Sequence, residues 1–385
     1  MKKIKFGLLP RILVAIVLGI ALGGVLPEWV MRIFLTFNGL FSQLLGFLIP
    51  LIIVGMVIPA IADIGRSAGR MLLYTVLLAY ASTIVAGLAS YFTGVLTFPS
   101  LIDSDVSLDV ATQTAKLTPY FTVEIAPLMS VMTALVLAFM VGLGLAYLNG
   151  DALRNVAKDF GDLVTMTIEA VIIPLLPIYI FGIFLDMTAA GEVMRVIGVF
   201  IKIIGVIFVL HIVWLILLYC VSGVVSKRNP FKMLATMLPA YFTALGTQSS
   251  AATIPVTLEQ SRKMGVSDEV SGFVIPLCAT IHMSGSMLKI VACAMALMLM
   301  QGIAFDFGMF FGFICMLAIT MVAAAGVPGG AIMAALGVLA TMLGFTAEDQ
   351  ALMISLYIAM DSFGTACNVT GDGALAAIMD RINKM

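Results

Sequence analysis

The sequence predicts an all-α membrane protein with eight transmembrane helices and two re-entrant helical hairpins, on three observations. Hydrophobic residues make up 62% of the chain and charged residues 11%, with a mean hydropathy of +1.16, which excludes a soluble globular protein and a disordered one. The apolar residues form segments of about 20 residues or more, the length that a helix needs to cross a bilayer. After residue 228 these uniform segments give way to two similar units of small residues and interrupted apolar stretches.

Six uninterrupted apolar segments precede residue 228, and basic residues flank them on alternate sides. Because cytoplasmic loops carry an excess of Lys and Arg, the basic side is predicted to be cytoplasmic and the acidic loop at 98–118 external. We expect an inner-membrane protein with both termini in the cytoplasm and no cleaved signal, since the first segment lacks a small-residue cleavage site. The segments are 7–27, 39–63, 71–97, 124–148, 163–187 and 196–224, and the basic residues are Lys2, Lys3, Lys5, Arg66, Arg70, Arg154, Lys158, Lys227 and Arg228.

The remainder of the chain repeats one arrangement, a hairpin followed by a broken helix. The first hairpin has its tip at 246–255, and the apolar segment after it is interrupted at 280–286. The second has its tip at 323–330, and its following segment is interrupted at 368–373. Small residues with a proline suit the irregular, closely packed backbone of a re-entrant loop. Paired interrupted segments point to the inverted repeats of a secondary transporter, with substrate and ions between them.

The last apolar segment, 351–379, carries a polar stripe. Asp361, Thr365, Asn368 and Asp372 fall on one helical face at about 3.6 residues per turn. Carboxylates inside a membrane are expensive unless they face a partner, an ion or water. We therefore expect one carboxylate to bind a substrate ammonium and the other a cation, with the Asn368 amide assisting.

Three further segments are candidates for binding or gating. At the first tip, Gln248, Ser249 and Ser250 offer hydroxyls and amide N–H groups for an anionic group. The break at 280–286 would free carbonyls that a bound cation could satisfy. The glycines of 326–330 predict a lid that opens and closes over the site.

Two titratable residues follow the first tip, and each has alternative interpretations. His282 is either a satisfied buried histidine or a proton-linked group, because histidine titrates near neutral pH. Lys289 either extends to the membrane surface, pairs with a buried carboxylate, or stands where another protein binds a cation. The five cysteines show no C-x-x-C spacing and predict packing rather than disulfides or a metal centre.

Four motifs, in order along the chain, resemble the dicarboxylate/amino acid:cation symporter family, the glutamate-transporter-like elevator transporters. The resemblance covers essentially the whole chain and is densest from 241 to 374. The motifs are Thr247-Gln248-Ser249-Ser250-Ala251-Ala252-Thr253-Ile254-Pro255-Val256 for the first hairpin, Ala279-Thr280-Ile281-His282-Met283-Ser284-Gly285-Ser286 for the unwound seventh helix, Ala325-Gly326-Val327-Pro328-Gly329 for the second tip, and Asn368-Val369-Thr370-Gly371-Asp372 for the eighth helix.

The resemblance implies a homotrimer in which a fixed scaffold holds a transport domain that moves as an elevator. By this resemblance, the scaffold comprises residues 1–70 (helices 1–2) and 119–190 (helices 4–5). The transport domain comprises 71–100 (helix 3) and 191–385 (helix 6, hairpin 1, helix 7, hairpin 2 and helix 8).

The resemblance also implies roles for individual residues. Asp361 matches the residue that holds the substrate amino group, and Asn368 with the Ser249-Ser250 tip matches the groups that hold its α-carboxylate. The other implied substrate-site positions are Gln248, Gly364, Thr365, Val327 and Gly329, and the implied cation ligands are Asp372, Asn368, His282, Cys278, Thr280, Met283, Ser284, Tyr80 and Thr83.

Two departures from the family pattern bear on specificity. Members that carry acidic substrates have an arginine at the position of Gly364, and a buried carboxylate without a cationic partner is strongly disfavoured. The family's Asn-Met-Asp is His282-Met283-Ser284 here, which removes an anionic cation ligand. Fewer Na⁺ sites, proton coupling through His282 or Lys289, and cation-independent exchange therefore all stay open.

The sequence thus predicts a symporter, driven by Na⁺ or H⁺, for a small neutral amino acid. The alternative substrates are glutamate, aspartate or a C4-dicarboxylate. An aspartyl protease using Asp361 and Asp372 is rejected, because eleven residues of helix separate them by about 16 Å. A passive channel is less favoured, because re-entrant tips suit occlusion. The expected partners are the substrate, membrane lipid and further copies of the chain, but not nucleic acid, since no basic run is present.

Overall fold

The structure, a computed structural model, describes residues 8–66, 70–102, 117–148, 151–191, 193–321 and 329–384. The regular structure of these residues is helical throughout, which confirms the all-α prediction. A π-helical turn at Ile168–Ile172 joins α5 to α6. The helices are α1 Leu8–Leu22, α2 Glu28–Arg66, α3 Arg70–Leu101, α4 Val131–Tyr147, α5 Ala152–Thr167, α6 Ile173–Ala189, α7 Val193–Ser226, α8 Pro230–Thr247, α9 Ser250–Lys263, α10 Asp268–Ile281, α11 Ser284–Met300, α12 Phe307–Thr320, α13 Gly330–Leu343, α14 Ala347–Ala359 and α15 Asp361–Ile382.

Long apolar helices confirm a multi-pass membrane protein. Five helical stretches of the described residues are long and apolar enough to span a bilayer, and the bent pair α14–α15 makes a sixth. The predicted first and fourth spans coincide with the shorter apolar helices α1 and α4, of 15 and 17 residues. A count of eight spans therefore stays a prediction.

The helices pack in two groups. In the first, α2 packs against α4, α5 and α6, and α1 packs against α6. In the second, α15 packs against α7, α8, α9, α10 and α11, while α3 packs against α11 and α12. Contacts of α13 with α2, and of α14 with α1 and α6, join the two groups. Helix α15 lies at the centre of the second group, and every residue from Gly364 to Asp380 along it is buried.

The two predicted hairpin-plus-broken-helix units are present in the helix order. Helices α8 and α9 form the first hairpin, and α12 and α13 the second, whose tip at 322–328 lies outside the described residues. The first broken helix is interrupted where predicted, since α10 ends at Ile281 and α11 begins at Ser284.

The break in the second unit was predicted at the wrong place. Helix α15 is continuous through 368–373, and the break lies at Met360, where α14 and α15 bend by 63°. The glycines of the predicted break make room for neighbouring side chains. A Cβ at Gly371 would lie 2.7 Å from Cε1 of His282, and one at Gly373 would lie 2.7 Å from Cε of Met237. These glycines therefore permit close packing within a regular helix.

Helices α11 and α15 cross in backbone contact. A Cβ at Gly285 would lie 2.6 Å from the carbonyl oxygen of Gly364 and 2.6 Å from Cβ of Cys367. Small residues at a crossing let two helices in a membrane approach closely. This crossing brings the polar residues of both helices within hydrogen-bonding distance of each other.

Candidate functional site

Asp361 is the first residue of α15 and lies at the bend that follows α14. Its side chain is buried, and both carboxylate oxygens have partners. Oδ1 lies 3.2 Å from Nζ of Lys289, and Oδ2 accepts a hydrogen bond of 2.8 Å from the backbone N–H of Gly329. Gly329 directly precedes α13, with φ at +77°. Asp361 therefore links α11 to the second hairpin.

Lys289 extends from α11 into the protein interior and is 0% exposed. Besides Asp361, its ammonium contacts the carbonyl oxygen of Met360 at 3.4 Å and lies 3.5 Å from the centre of the Tyr357 ring. A buried ammonium is tolerated when a carboxylate, further hydrogen bonds and an aromatic face surround it. Of the alternatives for Lys289, the structure shows pairing with a buried carboxylate.

The Lys289 ammonium occupies the space beside Gly364. A Cβ at Gly364 would lie 2.5 Å from Nζ of Lys289 and closer still to its Cε. Any side chain at position 364 would therefore displace Lys289. A cation is present at this position after all, but it comes from α11 rather than from α15.

The first hairpin tip reaches the same bend. Gln248 adopts a left-handed conformation, with φ at 54°, and its Nε2 donates to Oγ of Ser362 at 2.8 Å. Ser249 caps α9 by accepting the N–H of Ala252, and Ser250 is buried at the start of that helix. The two hairpins therefore contact adjacent residues of α15, the first hairpin Ser362 and the second Asp361.

The other two residues of the stripe lie farther along α15. Thr365 is buried one turn beyond Asp361. Oδ1 of Asn368 accepts the backbone N–H groups of Gly285 at 2.7 Å and Ser286 at 3.3 Å, and its Nδ2 donates to Oγ of Ser286. Asn368 thus satisfies two of the orphan N–H groups at the start of α11.

Asp372 is buried and faces the break between α10 and α11. Nδ1 of His282 lies 2.9 Å from its Oδ1, and Nε2 of His282 lies 3.0 Å from Oγ of Ser82 on α3. Hard cations select oxygen ligands. The imidazole nitrogen at Asp372, together with an Asn368 oxygen already engaged by N–H groups, does not fit a Na⁺ site as arranged here.

The remaining predicted cation ligands are dispersed around the same break. Thr280 is exposed and donates to the carbonyl of Leu277, and the carbonyl of Cys278 accepts the N–H of His282. The N–H of Met283 contacts Oγ1 of Thr83 at 3.4 Å, and Tyr80 on α3 is half-buried. Oγ of Ser284 is buried without a hydrogen-bond partner among the described residues. Val327 lies outside those residues.

Three side chains that complete these networks were not predicted from the sequence. Tyr357 lies four residues before Asp361, a spacing that could have indicated it, and its hydroxyl contacts Oγ of Ser286 at 2.9 Å. Ser82 and Ser362 gave no signal in the sequence, because their importance comes from helices that meet only in the folded chain.

Comparisons with known proteins add independent findings. A model of the sodium:dicarboxylate symporter family matches residues 8–382. Excitatory amino acid transporter 2 of Homo sapiens is 34% identical over 162 residues, 42% of this chain and 28% of that protein. Excitatory amino acid transporter 1 of Homo sapiens is 30% identical over 240 residues, 61% of this chain and 44% of that protein. An excitatory amino acid transporter of Caenorhabditis elegans is 32% identical over 171 residues, which are 44% of this chain and 34% of that protein. The matches thus span less than half the length of these relatives.

Proposed function

The chain belongs to the sodium:dicarboxylate symporter family, and from this premise we propose that it is a secondary active symporter of a small neutral amino acid. The observation that carries the proposal is the meeting of both hairpins at the bend before α15. Gln248 of the first contacts Ser362, and Gly329 of the second contacts Asp361. A site enclosed by two hairpins can open to one side at a time, which alternating access requires.

The charges around this bend support a zwitterionic substrate. Asp361 and Lys289 form a buried pair with no net charge. A neutral amino acid also has no net charge, so its binding would leave the site balanced. Asp361 would hold the ammonium, and the Ser249-Ser250 start of α9 would offer N–H groups and hydroxyls to the carboxylate. Gln248, Thr365 and Gly364 complete the proposed substrate site.

An acidic amino acid is the second candidate, and Lys289 is the observation that favours it. Its ammonium stands beside Gly364, where acidic-substrate members of the resembled family have an arginine. The named relatives are excitatory amino acid transporters. Against this candidate, Lys289 already neutralises Asp361, so a second substrate carboxylate would need a further cation.

Helix packing supports the domain and elevator proposals. The group of α1, α2 and α4–α6 corresponds to the proposed scaffold, and the group of α3 and α7–α15 to the proposed transport domain. A homotrimer in an inner membrane, with both termini in the cytoplasm, completes the proposal.

Na⁺ is the coupling ion that the family description supports. The site around Asp372 does not fit Na⁺ as arranged, so we propose fewer Na⁺ sites than the resemblance implies, with H⁺ as the alternative ion. Asparagine is the residue that the resembled motif has at position 282, and its side chain would offer an oxygen in place of the ring nitrogen.

Replacing His282 by asparagine is expected to increase stabilisation by Na⁺. The change removes the nitrogen that engages Oδ1 of Asp372 and frees this oxygen for a cation. The measurement is the rise in Tm between choline and Na⁺ buffers, which should be larger in His282→Asn than in the unaltered protein. His211→Asn replaces the other buried histidine, which contacts the Gly285 carbonyl, and serves as the control. An equal Na⁺ response in the unaltered protein and His282→Asn would show that His282 does not obstruct a cation.

The substrate proposal is tested by thermal shift on purified protein. The ligands are the common amino acids and C4-dicarboxylates, each in Na⁺ and in choline buffer. A ligand that binds the folded state raises Tm, by a free energy of about 2.7 kcal/mol at a hundred times its Kd. We expect stabilisation by neutral amino acids. A response confined to glutamate, aspartate or a dicarboxylate would replace the first candidate by the second, and no response to any of them would contradict both.

A further inference from the structure

We propose that Lys289 is a substrate-binding residue that changes partner during binding. In the structure its ammonium holds Asp361, and when the substrate's ammonium takes that place, Lys289 moves to the substrate's carboxylate. The inference rests on the proposed function, since it describes how the same site recognises an amino acid.

Each carboxylate oxygen of Asp361 already has a partner within the protein. Lys289 satisfies one oxygen of Asp361, and the Gly329 N–H satisfies the other. A substrate ammonium that joined these two groups at Asp361 would place a second buried cation beside a single carboxylate, which is strongly disfavoured. Gly329 of the second hairpin contributes an uncharged backbone N–H. Lys289 contributes an ammonium, the same charged group that the substrate brings. Displacement of Lys289 thus exchanges one ammonium for another at the same carboxylate.

Once displaced from Asp361, the Lys289 ammonium needs a new partner. Lys289 is 0% exposed, and its remaining contacts are the Met360 carbonyl and the Tyr357 ring. An unpaired charge in a buried site is strongly disfavoured. The carboxylate that accompanies an α-ammonium is the group that can restore the pairing, because the two are joined through one carbon. Substrate and ion pair would then form two opposite-charge contacts in place of one.

Selectivity follows from this exchange. A carboxylate without an amino group leaves Lys289 on Asp361 and adds an unbalanced negative charge. An amine without a carboxylate displaces Lys289 and leaves it unpaired. Only a solute with both groups leaves every charge paired, and sites of this kind reject analogues that leave a buried group unmatched. Lys289 would thereby make the site specific for amino acids.

The test compares binding to purified full-length protein with that to Lys289→Met, using three sets of probes. The parent amino acids are L-alanine, L-serine and L-aspartate. Their analogues without the amino group are propionate, 3-hydroxypropionate and succinate, and the analogues of the first two without the carboxylate are ethylamine and ethanolamine. In the unaltered protein we expect L-alanine and L-serine to raise Tm, and none of the analogues to do so.

Lys289→Met is expected to invert this preference. Amino acid affinity should fall at least tenfold, because the carboxylate loses its partner. Affinity for ethylamine or ethanolamine should rise at least tenfold, because Asp361 has lost its internal ammonium. A lysine that only neutralised Asp361 would give the gain for the amines without the loss for amino acids, so the two changes together assign Lys289 to the substrate carboxylate. Amino acid affinity within twofold of the unaltered protein, or a loss of binding without any gain for the amines, would overturn the inference.

Two further variants keep the test decisive. Lys289→Met/Asp361→Asn lacks both charges of the Lys289–Asp361 pair and should bind neither amine, which assigns the gain to Asp361. If Lys289→Met does not fold, Lys289→Gln retains an N–H donor for Asp361 without the charge and should show the same gain. If no amino acid stabilises the unaltered protein, the proposed function is overturned as well. If amino acids stabilise the unaltered protein and Lys289→Met has the same affinities for amino acids and amines, this inference alone is overturned.

Discussion

Replacing Asp361 by alanine is expected to abolish amino acid binding and to lower the free energy of unfolding by about 3–5 kcal/mol, the cost of breaking a buried ion pair by removing one partner. The change leaves the Lys289 ammonium without its carboxylate in the protein interior and removes the acceptor for the Gly329 N–H. Both effects are measured by thermal unfolding with and without the amino acid that stabilises the unaltered protein.

Asp268→Asn is the matched control for this prediction. Asp268 also contacts a basic residue, Arg262 at 2.8 Å, but its side chain is 84% exposed. Exposed ion pairs contribute about 0–1 kcal/mol, so this variant should melt and bind almost as the unaltered protein does. Normal amino acid affinity in Asp361→Ala would refute the assignment of Asp361 to the substrate ammonium.

Removing the lysine at position 289 of α11 and introducing an arginine at position 364 of α15 is expected to change which substrate binds. Gly364→Arg alone should be strongly destabilised, because its Cβ would lie 2.5 Å from Nζ of Lys289, a distance at which one of the two groups must move. Lys289→Ala removes that side chain, so the double variant Lys289→Ala/Gly364→Arg should recover most of the lost stability. Its guanidinium can pair bidentately with a carboxylate. We expect the double variant to gain at least tenfold in affinity for aspartate or glutamate relative to a neutral amino acid.

The two single variants complete a double-mutant cycle for this swap. Residues in contact show coupling energies of about 0.5–3 kcal/mol, whereas independent sites are additive within about 0.5 kcal/mol. We expect the double variant to be more stable than the sum of the two single effects predicts, by an amount at the upper end of that range. Additive effects would show that Lys289 does not occupy the space beside Gly364 in the membrane-embedded protein. An unchanged order of substrate affinities would show that the cation's position does not set selectivity.

The polar stripe and the hairpins could be predicted from the sequence, because both depend on spacing along one segment. Helical periodicity placed Asp361 and Asp372 on one face, and small residues marked the first tip between α8 and α9. The break at Met360 could not be found in this way. Gly371 and Gly373 looked like helix breakers, but their lack of a side chain is used for packing against His282 and Met237.

The partners of the two carboxylates could not be predicted, since they depend on how distant helices cross. Lys289 and Asp361 are 72 residues apart, and His282 and Asp372 are 90 residues apart. Their meeting requires the close approach of α11 to α15 at Gly285. The sequence left several alternatives for Lys289, and only the packing shows its pairing with a buried carboxylate.

Uptake into proteoliposomes is the most direct test of secondary active transport. Purified protein is reconstituted, and labelled L-alanine, L-serine or L-aspartate is supplied with an inward Na⁺ gradient, an inward proton gradient or neither. We predict that one gradient drives accumulation above the external concentration, and that Asp361→Ala liposomes show none. Equilibration without accumulation under either gradient, or no uptake of any amino acid, would contradict a symporter of amino acids.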